Sequence, residues 1–342
     1  MSRLPVIVSF GGVNPAGRSS LHHGYRRLVI EKIGAVERNK TLSSLRALMN
    51  KSGEESYTSE WILHHSLIRK IEDNLFNTEA IPVNKRTALS SAPGEKTNFL
   101  VKNNQLPTTL PSNWKVEKQD DGLFKVEVDG ELSVLLPDTI SSKVCSAGQL
   151  PTGFDPANLY QSRNHPRGLQ LTVFAASDAV SSLGINWEQV KNRVPPDQIS
   201  VYASSAMGQL DSNGSGGLLQ AALQGRRTTS KNLPLGLAEM TADFVNAYVL
   251  GNVGTTGANI GACATFLYNL RQGINDIKSG KYKVAVVGAS EAPLTPEVIE
   301  GYRKMGALAE DDALAKIDKI ETKNVNHRLA CRPFGENCGF TL

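Results

Sequence analysis

Cysteine is scarce: four in 342 residues, at positions 145, 263, 331 and 338, with no regular spacing. That excludes a disulfide framework and points to a reducing compartment, expected to be the cytoplasm. No apolar run is long enough to span a bilayer. The opening Met1-Ser2-Arg3-Leu4-Pro5 leads into a short apolar stretch without a secretory core and cleavage site, so membrane insertion is not expected. Asn213-Gly214-Ser215-Gly216-Gly217 is glycine-rich but lacks the lysine and spacing of a phosphate loop, and reads as a mobile surface turn. Nor does one sign of charge dominate. The formal net charge is +4, which gives no reason to expect a nucleic-acid partner. The bias is local, with eight Lys/Arg against two Glu in residues 1–50. A basic face suits an acidic carrier protein or a nucleotide-containing thioester, and is equally an ordinary solvated surface.

What is present reads as α/β. Length allows two or three domain-sized units, and 40% hydrophobic with 20% charged residues is ordinary globular composition. Strand-like Val6–Phe10, helical Gly168–Gly184, strand-like Ile199–Ser204, helical Ala238–Tyr248 and strand-like Lys283–Ala289 alternate, predicting helices layered on a mixed sheet. Residues 35–136 interrupt the pattern and are expected to be an insertion that caps the site or extends a dimer interface. Within them the residues read as a polar helix from Thr58 to Phe76, a linker from Ser90 to Pro111, and a hairpin from Trp114 to Leu136 with turns at Asp120-Asp121-Gly122 and Asp129-Gly130. The expected organisation is therefore a first strand and turn over 1–34, the insertion over 35–136, and a core over 137–342. No internal repeat is evident.

One cysteine stands out. Gly261-Ala262-Cys263-Ala264-Thr265-Phe266 follows a small-residue stretch and precedes Phe266, Leu267, Leu270, Ile274 and Ile277 at helical spacing, with Gly280 as a stop. This puts Cys263 on a turn at a helix start, where free N–H groups and the helix dipole favour the attacking form of a thiol. A structural cysteine among small residues is the competing reading.

The neighbours of Cys263 resemble the β-ketoacyl-acyl-carrier-protein synthases, condensing enzymes of the thiolase-like superfamily. The Ala-Cys-Ala-Thr turn, its helix, the strand Lys283–Ala289 with Gly288-Ala289-Ser290-Glu291 at its end, Gly301–Leu308 and Arg332-Pro333-Phe334 carry the resemblance. Val6–Gly17 resembles the opening strand and turn of these enzymes, and the likeness covers roughly residues 1–30 and 138–342. The subtype most resembled is the FabY-like bacterial synthases, which begin fatty-acid chains and carry extra sequence in the first half. Departures exist. Phe266 replaces the usual Ser or Gly, Gly254-Thr255-Thr256 stands where Gly-Pro-Asn is common, and Gly335–Phe340 lacks the expected Arg.

The resemblance implies a thiolase-like layered α/β/α fold, first half only. It implies a nucleophile, Cys263, that accepts an acyl group, a short one in this protein, from acyl-CoA or acyl-carrier protein. Decarboxylative condensation with malonyl-acyl-carrier protein would follow, with no cofactor and no metal. Met207, Gly208, Phe266 and Tyr302 are the acyl-pocket candidates it suggests, each equally readable as core. A homodimer is expected through the strand Ala258–Ala262. The two histidines such enzymes use are expected to lie outside this sequence: none of His22, His23, His64, His65, His165 and His327 has the family neighbours, so the 342 residues alone are expected not to condense. Alternatives are a thiolase, a polyketide-type ketosynthase, or a non-catalytic fragment or relative. A metal site at His327, Cys331 and Cys338 fits no common zinc spacing.

Overall fold

The computed structural model describes residues 4–49, 57–291, 294–335 and 340–342. The chain forms two units, one built from residues 1–76 and 143–342, the other from 77–142.

The first unit opens with an extended segment that finds no sheet. Val6, Ile7 and Val8 are 71%, 82% and 71% exposed, and residues 4–10 adopt no regular element. This corrects the expected opening strand: a short apolar run gives strand propensity, but no partner among the described residues pairs with it. The chain becomes anchored at Ser9, whose hydroxyl donates to the Ala179 carbonyl. The buried Asp178 carboxylate then accepts from Gly12 N (2.9 Å) and Ser20 Oγ (3.1 Å) and pairs with Arg18. A minimal hairpin, β1 (Val13–Asn14) and β2 (Gly17–Arg18), follows. Helices α1 (His23–Leu28), α2 (Ala35–Leu48) and α3 (Ser59–His64) then close a local core of Ile30, Leu42, Leu45, Met49 and Ile62. So α2 and α3, inside the expected insertion, belong to the first unit. The long helix expected over 58–76 stops early. Leu67 takes a left-handed φ of 65°, and β3 (Ile68–Lys70) begins directly after it.

The second unit is all antiparallel. β4 (Ile81–Leu89) and β8 (Leu132–Ile140) pair over nine residues, while β5 (Thr97–Lys102), β7 (Leu123–Val128) and β6 (Trp114–Lys118) form a three-stranded sheet in that order. The hairpin at Asp120-Asp121-Gly122 joins β6 to β7, with Gly122 at φ 79° and the Asp121 carboxylate accepting from Leu123 N (3.0 Å). Burial alternates along β5, and Val126 and Val128 on β7 are fully buried. β5 falls within the expected linker 90–111, where clustered Ser, Pro and Asn mask six residues of regular alternation.

Back in the first unit, β9 (Ser146–Gly148) pairs antiparallel with β3. α4 (Arg167–Ser181) leads through α5 (Trp187–Lys191) to β10 (Ile199–Ser204). All six residues of β10 are buried, as a strand covered on both faces requires. Two short helices, α6 (Ser215–Gln220) and α7 (Asn232–Gly236), precede α8 (Met240–Phe244), which continues as a π-helical turn over Val245–Val249. The segment Asn213–Gly217, read as a mobile turn, is instead tightly packed. A Cβ on Gly214 would meet Gln209 O at 2.0 Å, and Asp211 accepts from Asn213 N (2.9 Å) and Gly214 N (3.1 Å). β11 (Thr255–Gly257), β10 and β12 (Val284–Ala289) then make a parallel sheet with β10 central. α4 and α8 cover one face through Ala176, Val201, Ala203, Ala242 and Val245. α9 (Thr265–Ser279) covers the other, ending at Gly280 with φ 79°. α10 (Pro296–Lys304) and α11 (Asp311–Asp318) complete the unit.

α9 does not bury the face its apolar spacing suggests. Its buried residues are Thr265, Asn269, Gly273 and Asp276, while Phe266 and Leu267 stay 45% and 61% exposed. Gly273 allows the close approach, since a Cβ there would lie 2.6 Å from Val287 Cγ1. Asp276 accepts from the Tyr202 hydroxyl at 2.6 Å; burial, and then this bond, pushes the Tyr202 phenol up to about 12. The helix is held to the sheet by small and polar contacts.

Candidate active site

The sheet strands β10 and β12 end at Ser204 and Ala289, and beyond β11 the chain runs through Asn259 to the turn that carries Cys263. Cys263 is exposed and lies in a short 3-10 turn, Ala262–Ala264, that feeds directly into α9. Ala262 holds a left-handed φ of 47°. A non-glycine residue there costs about 1–3 kcal/mol, so the surroundings must impose it. Thr265 is one restraint: its hydroxyl accepts from Gly261 N (3.1 Å) and donates to Ala262 O (2.7 Å). Among the described residues no acceptor takes the Cys263 N–H, which leaves one backbone donor beside the thiol.

The thiol opens onto a cavity of about 1050 Å³. Ala262, Phe266, Ser290 and Glu291 line it near the Cys263 turn, Gly11 and Gly12 contribute from the anchored N-terminal segment, and Arg167 and Asp211 contribute from α4 and the α6 approach. Asp211 accepts from Arg167 N (2.7 Å) and from the two amides already described; burial pushes its carboxyl upward against those bonds. Glu291 accepts from Ala206 N (2.7 Å) and Met207 N (2.9 Å), holding the turn after β10.

Of the sequence candidates, Cys263 and Phe266 come together on the cavity wall. Met207, Gly208 and Tyr302 do not line it. Met207 and Gly208 sit on the turn that Glu291 holds, and Gly208 is there for backbone packing: its carbonyl accepts from Gly168 N at 2.9 Å. A Cβ on Gly168 would lie 2.8 Å from the Gly208 backbone. Tyr302 packs against Ile71, Val144, Ala147, Ile299 and Leu308. None of the six histidines lines the cavity. His327 Nε2 is bonded to Asp311 Oδ2 at 2.8 Å, which occupies it away from the imagined metal site; Cys338 of that site lies outside the described residues. Among the described residues no group of three or more His, Cys, Asp or Glu is arranged to hold a metal ion.

Asn269 was missed. It is fully buried, and it joins the loop that leads to Cys263 to both strand ends. On a helix, a lone Asn among Leu and Arg reads as solvent face. Only its register with Thr265, Gly273 and Asp276 separates it from that reading.

The Beta-ketoacyl synthase, N-terminal domain family matches residues 81–320. The Beta-ketoacyl-[acyl-carrier-protein] synthase FabY of Pseudomonas aeruginosa is 48% identical, aligned over 100% of this chain and 56% of its own length. A crystal structure titled as the noncanonical ketosynthase FabY from P. aeruginosa superposes with a TM-score of 0.93 at 47% identity, over 100% of this chain and 56% of that one. A 3-oxoacyl-[acyl-carrier-protein] synthase 2 of Staphylococcus aureus is 27% identical over 52% of this chain and 39% of its own length. The chain thus spans 56% of the length of its FabY-like relative, with a thiolase-like, mixed α/β fold. An exposed cysteine at a helix start, at the end of a buried parallel sheet, fits the same family, and the chain belongs to the β-ketoacyl synthases.

Proposed function

We propose that this chain carries the acyl-accepting half of a β-ketoacyl-acyl-carrier-protein synthase reaction in fatty-acid synthesis, with Cys263 as nucleophile. The observation that carries this is the exposed Cys263 thiol, on a cavity wall at the start of α9, beside an amide without an acceptor among the described residues. Cys263 Sγ attacks the carbonyl carbon of an acyl thioester, and the carbonyl oxygen gathers negative charge. The Cys263 N–H is the nearby donor for that charge, a role worth roughly 3–4 kcal/mol where geometry is good. The tetrahedral intermediate collapses by breaking the donor's C–S bond. The donor thiol leaves with the proton lost by Cys263, and an acyl-cysteine thioester remains.

In the condensing half, a malonyl thioester loses carbon dioxide and its enolate carbon attacks the acyl-cysteine carbonyl, releasing Sγ and giving a β-ketoacyl thioester. That step needs groups to stabilise the enolate, and no histidine of this chain lines the cavity. The donor is an acyl-carrier protein or coenzyme A thioester and the extender a malonyl-carrier thioester; the FabY relative, a β-ketoacyl-[acyl-carrier-protein] synthase by name, supports the carrier protein. Phe266 on the cavity wall favours a short acyl group. The strand expected over Ala258–Ala262 does not form, since the sheet edge is β11, Thr255–Gly257, which stops just before it; a homodimer through that edge is supported by the edge position of β11 and by exposed Val253 and Ile260 on either side of it. We assign the activity to the cytoplasm; no helix among the described residues is long and apolar enough to cross a membrane.

Incubation with a short acyl thioester should add one acyl mass to the protein, and Cys263→Ala should abolish the adduct while leaving the circular dichroism spectrum unchanged. An adduct that persists in Cys263→Ala removes Cys263 from the mechanism. These 342 residues should form the adduct but yield no β-ketoacyl product with malonyl thioester; product would overturn the division of labour.

A further inference from the structure

We propose that Asn269 is the positioning residue of the nucleophile turn, a role that rests on the reading of Cys263 as the acyl acceptor. Asn269 has no exposed surface, yet all of its polar capacity in use is directed at three separate strands of chain. Its Oδ1 accepts from Asn259 N (3.1 Å) and Asn259 Nδ2 (3.0 Å), on the loop that leads to Cys263. Its Nδ2 donates to Ser204 Oγ (2.9 Å), at the end of β10, and to Gly288 O (2.9 Å), near the end of β12. Ser204 Oγ in turn donates to Asn259 O at 2.6 Å, closing a ring of bonds around the loop.

A buried amide costs free energy unless it is bonded, and this one is bonded at both ends. What the bonds accomplish follows from the segment between them. Asn259 is fixed on one side of the turn and Thr265 on the other. The five residues between must reverse direction, and Ala262 takes the left-handed conformation that alanine avoids. With Asn269 gone, Asn259 loses the partner of its N–H and its side chain and keeps only the bond from Ser204 Oγ to its carbonyl, so the strained Ala262 relaxes toward an ordinary φ, swinging Cys263 away from its place at the helix start. Thr265 restrains Ala262 from inside the turn only, through its bonds to Gly261 N and Ala262 O, and does not tie the turn to the strand ends. Asn269 touches neither thiol nor cavity. It acts through the loop.

The test compares the full chain with Asn269→Ala, Asn259→Ala and the double variant Asn269→Ala/Ala262→Gly. The rate of Cys263 alkylation by iodoacetamide is read peptide by peptide in a mass spectrometer and normalised to the folded fraction. Alkylation needs no acyl transfer, so it reports on Asn269 even if the acyl-accepting reading fails, and an unacylated wild-type protein sinks that reading alone. A thiol carried away from the helix start should react about tenfold more slowly in Asn269→Ala. Acyl-enzyme formation should slow alike at saturating donor, with the half-saturating donor concentration unchanged. Ala262→Gly should restore most of the lost rate, since glycine holds a positive φ without strain. Unchanged alkylation, or slowing that glycine does not restore, overturns the proposal. If Asn269→Ala fails to fold, Asn259→Ala, which removes one bond to the same oxygen, decides: slowed alkylation supports the role and wild-type reactivity overturns it.

Discussion

The two units solve the same backbone problem in opposite ways. In residues 77–142 every named strand pairs antiparallel, side chains along β5 alternate in burial, and the hairpin turn is satisfied by its own Asp121 and Gly122. In the first unit β10 is buried along its whole length between parallel neighbours, so its chain must leave and re-enter through loops. Those loops gather at one end of the sheet, beyond Ser204 and Ala289, and there the exposed thiol, the strained Ala262 and the buried Asn269 are found. A parallel sheet creates an end where polar groups from several strands converge and need side-chain partners, whereas an antiparallel ribbon consumes its own.

The sharpest way to break that comparison is a charge on each sheet. Val201 at the centre of β10 has no exposed surface, and Val201→Asp should prevent folding of the first unit, because an unpaired carboxylate there costs several kcal/mol. Leu100 on β5 is 59% exposed, and Leu100→Asp should shift stability by no more than about 0.5 kcal/mol. Thermal unfolding followed by circular dichroism measures both. A folded Val201→Asp would show that β10 is not the two-sided core strand described.

A smaller effect separates the units by pH. Residues 77–142 contain no histidine, so imidazole titration can act only on the first unit. His165 is held below the ordinary 6.5 by burial and then by Lys231; His23 is lowered by burial, then Arg26 and Arg18. A base with a lowered folded-state value stabilises the fold fully above its unfolded value and loses that contribution as pH falls through 6.5 toward the folded value, since the unfolded chain then binds more protons. Urea unfolding should therefore show stability declining below pH 6.5, and His165→Gln should flatten part of that slope. A slope unchanged by the substitution would assign the dependence elsewhere.

Much of the first unit was legible. Helix α4, strands β10 and β12, and the cysteine at the head of α9 follow from periodicity, stop glycines and a short motif. What escaped has physical causes. Val6–Phe10 has the pattern of a strand, but pattern cannot supply a partner. The helix expected to reach Phe76 fails at Leu67, whose left-handed φ carries no residue signature, unlike the glycines at 122 and 280. α9 turned its polar line inward because Gly273 permits close packing on Val287, and so Asn269 became a buried hub while Phe266 and Leu267 stayed outside. Of the candidate site, the cavity-wall positions of Cys263 and Phe266 agree with the sequence reading. Tyr302, equally readable as pocket or core from its neighbours, packs in the core.

The central claim is that geometry singles out one thiol. Limited alkylation with iodoacetamide, with each cysteine-containing peptide followed in time, tests it most directly. Cys263, exposed at the head of α9, should be modified first and to completion while the half-buried Cys145 and Cys331 lag well behind, and prior loading with a short acyl thioester should protect it. Equal or faster labelling of Cys145 or Cys331, or no protection at Cys263, would contradict the account.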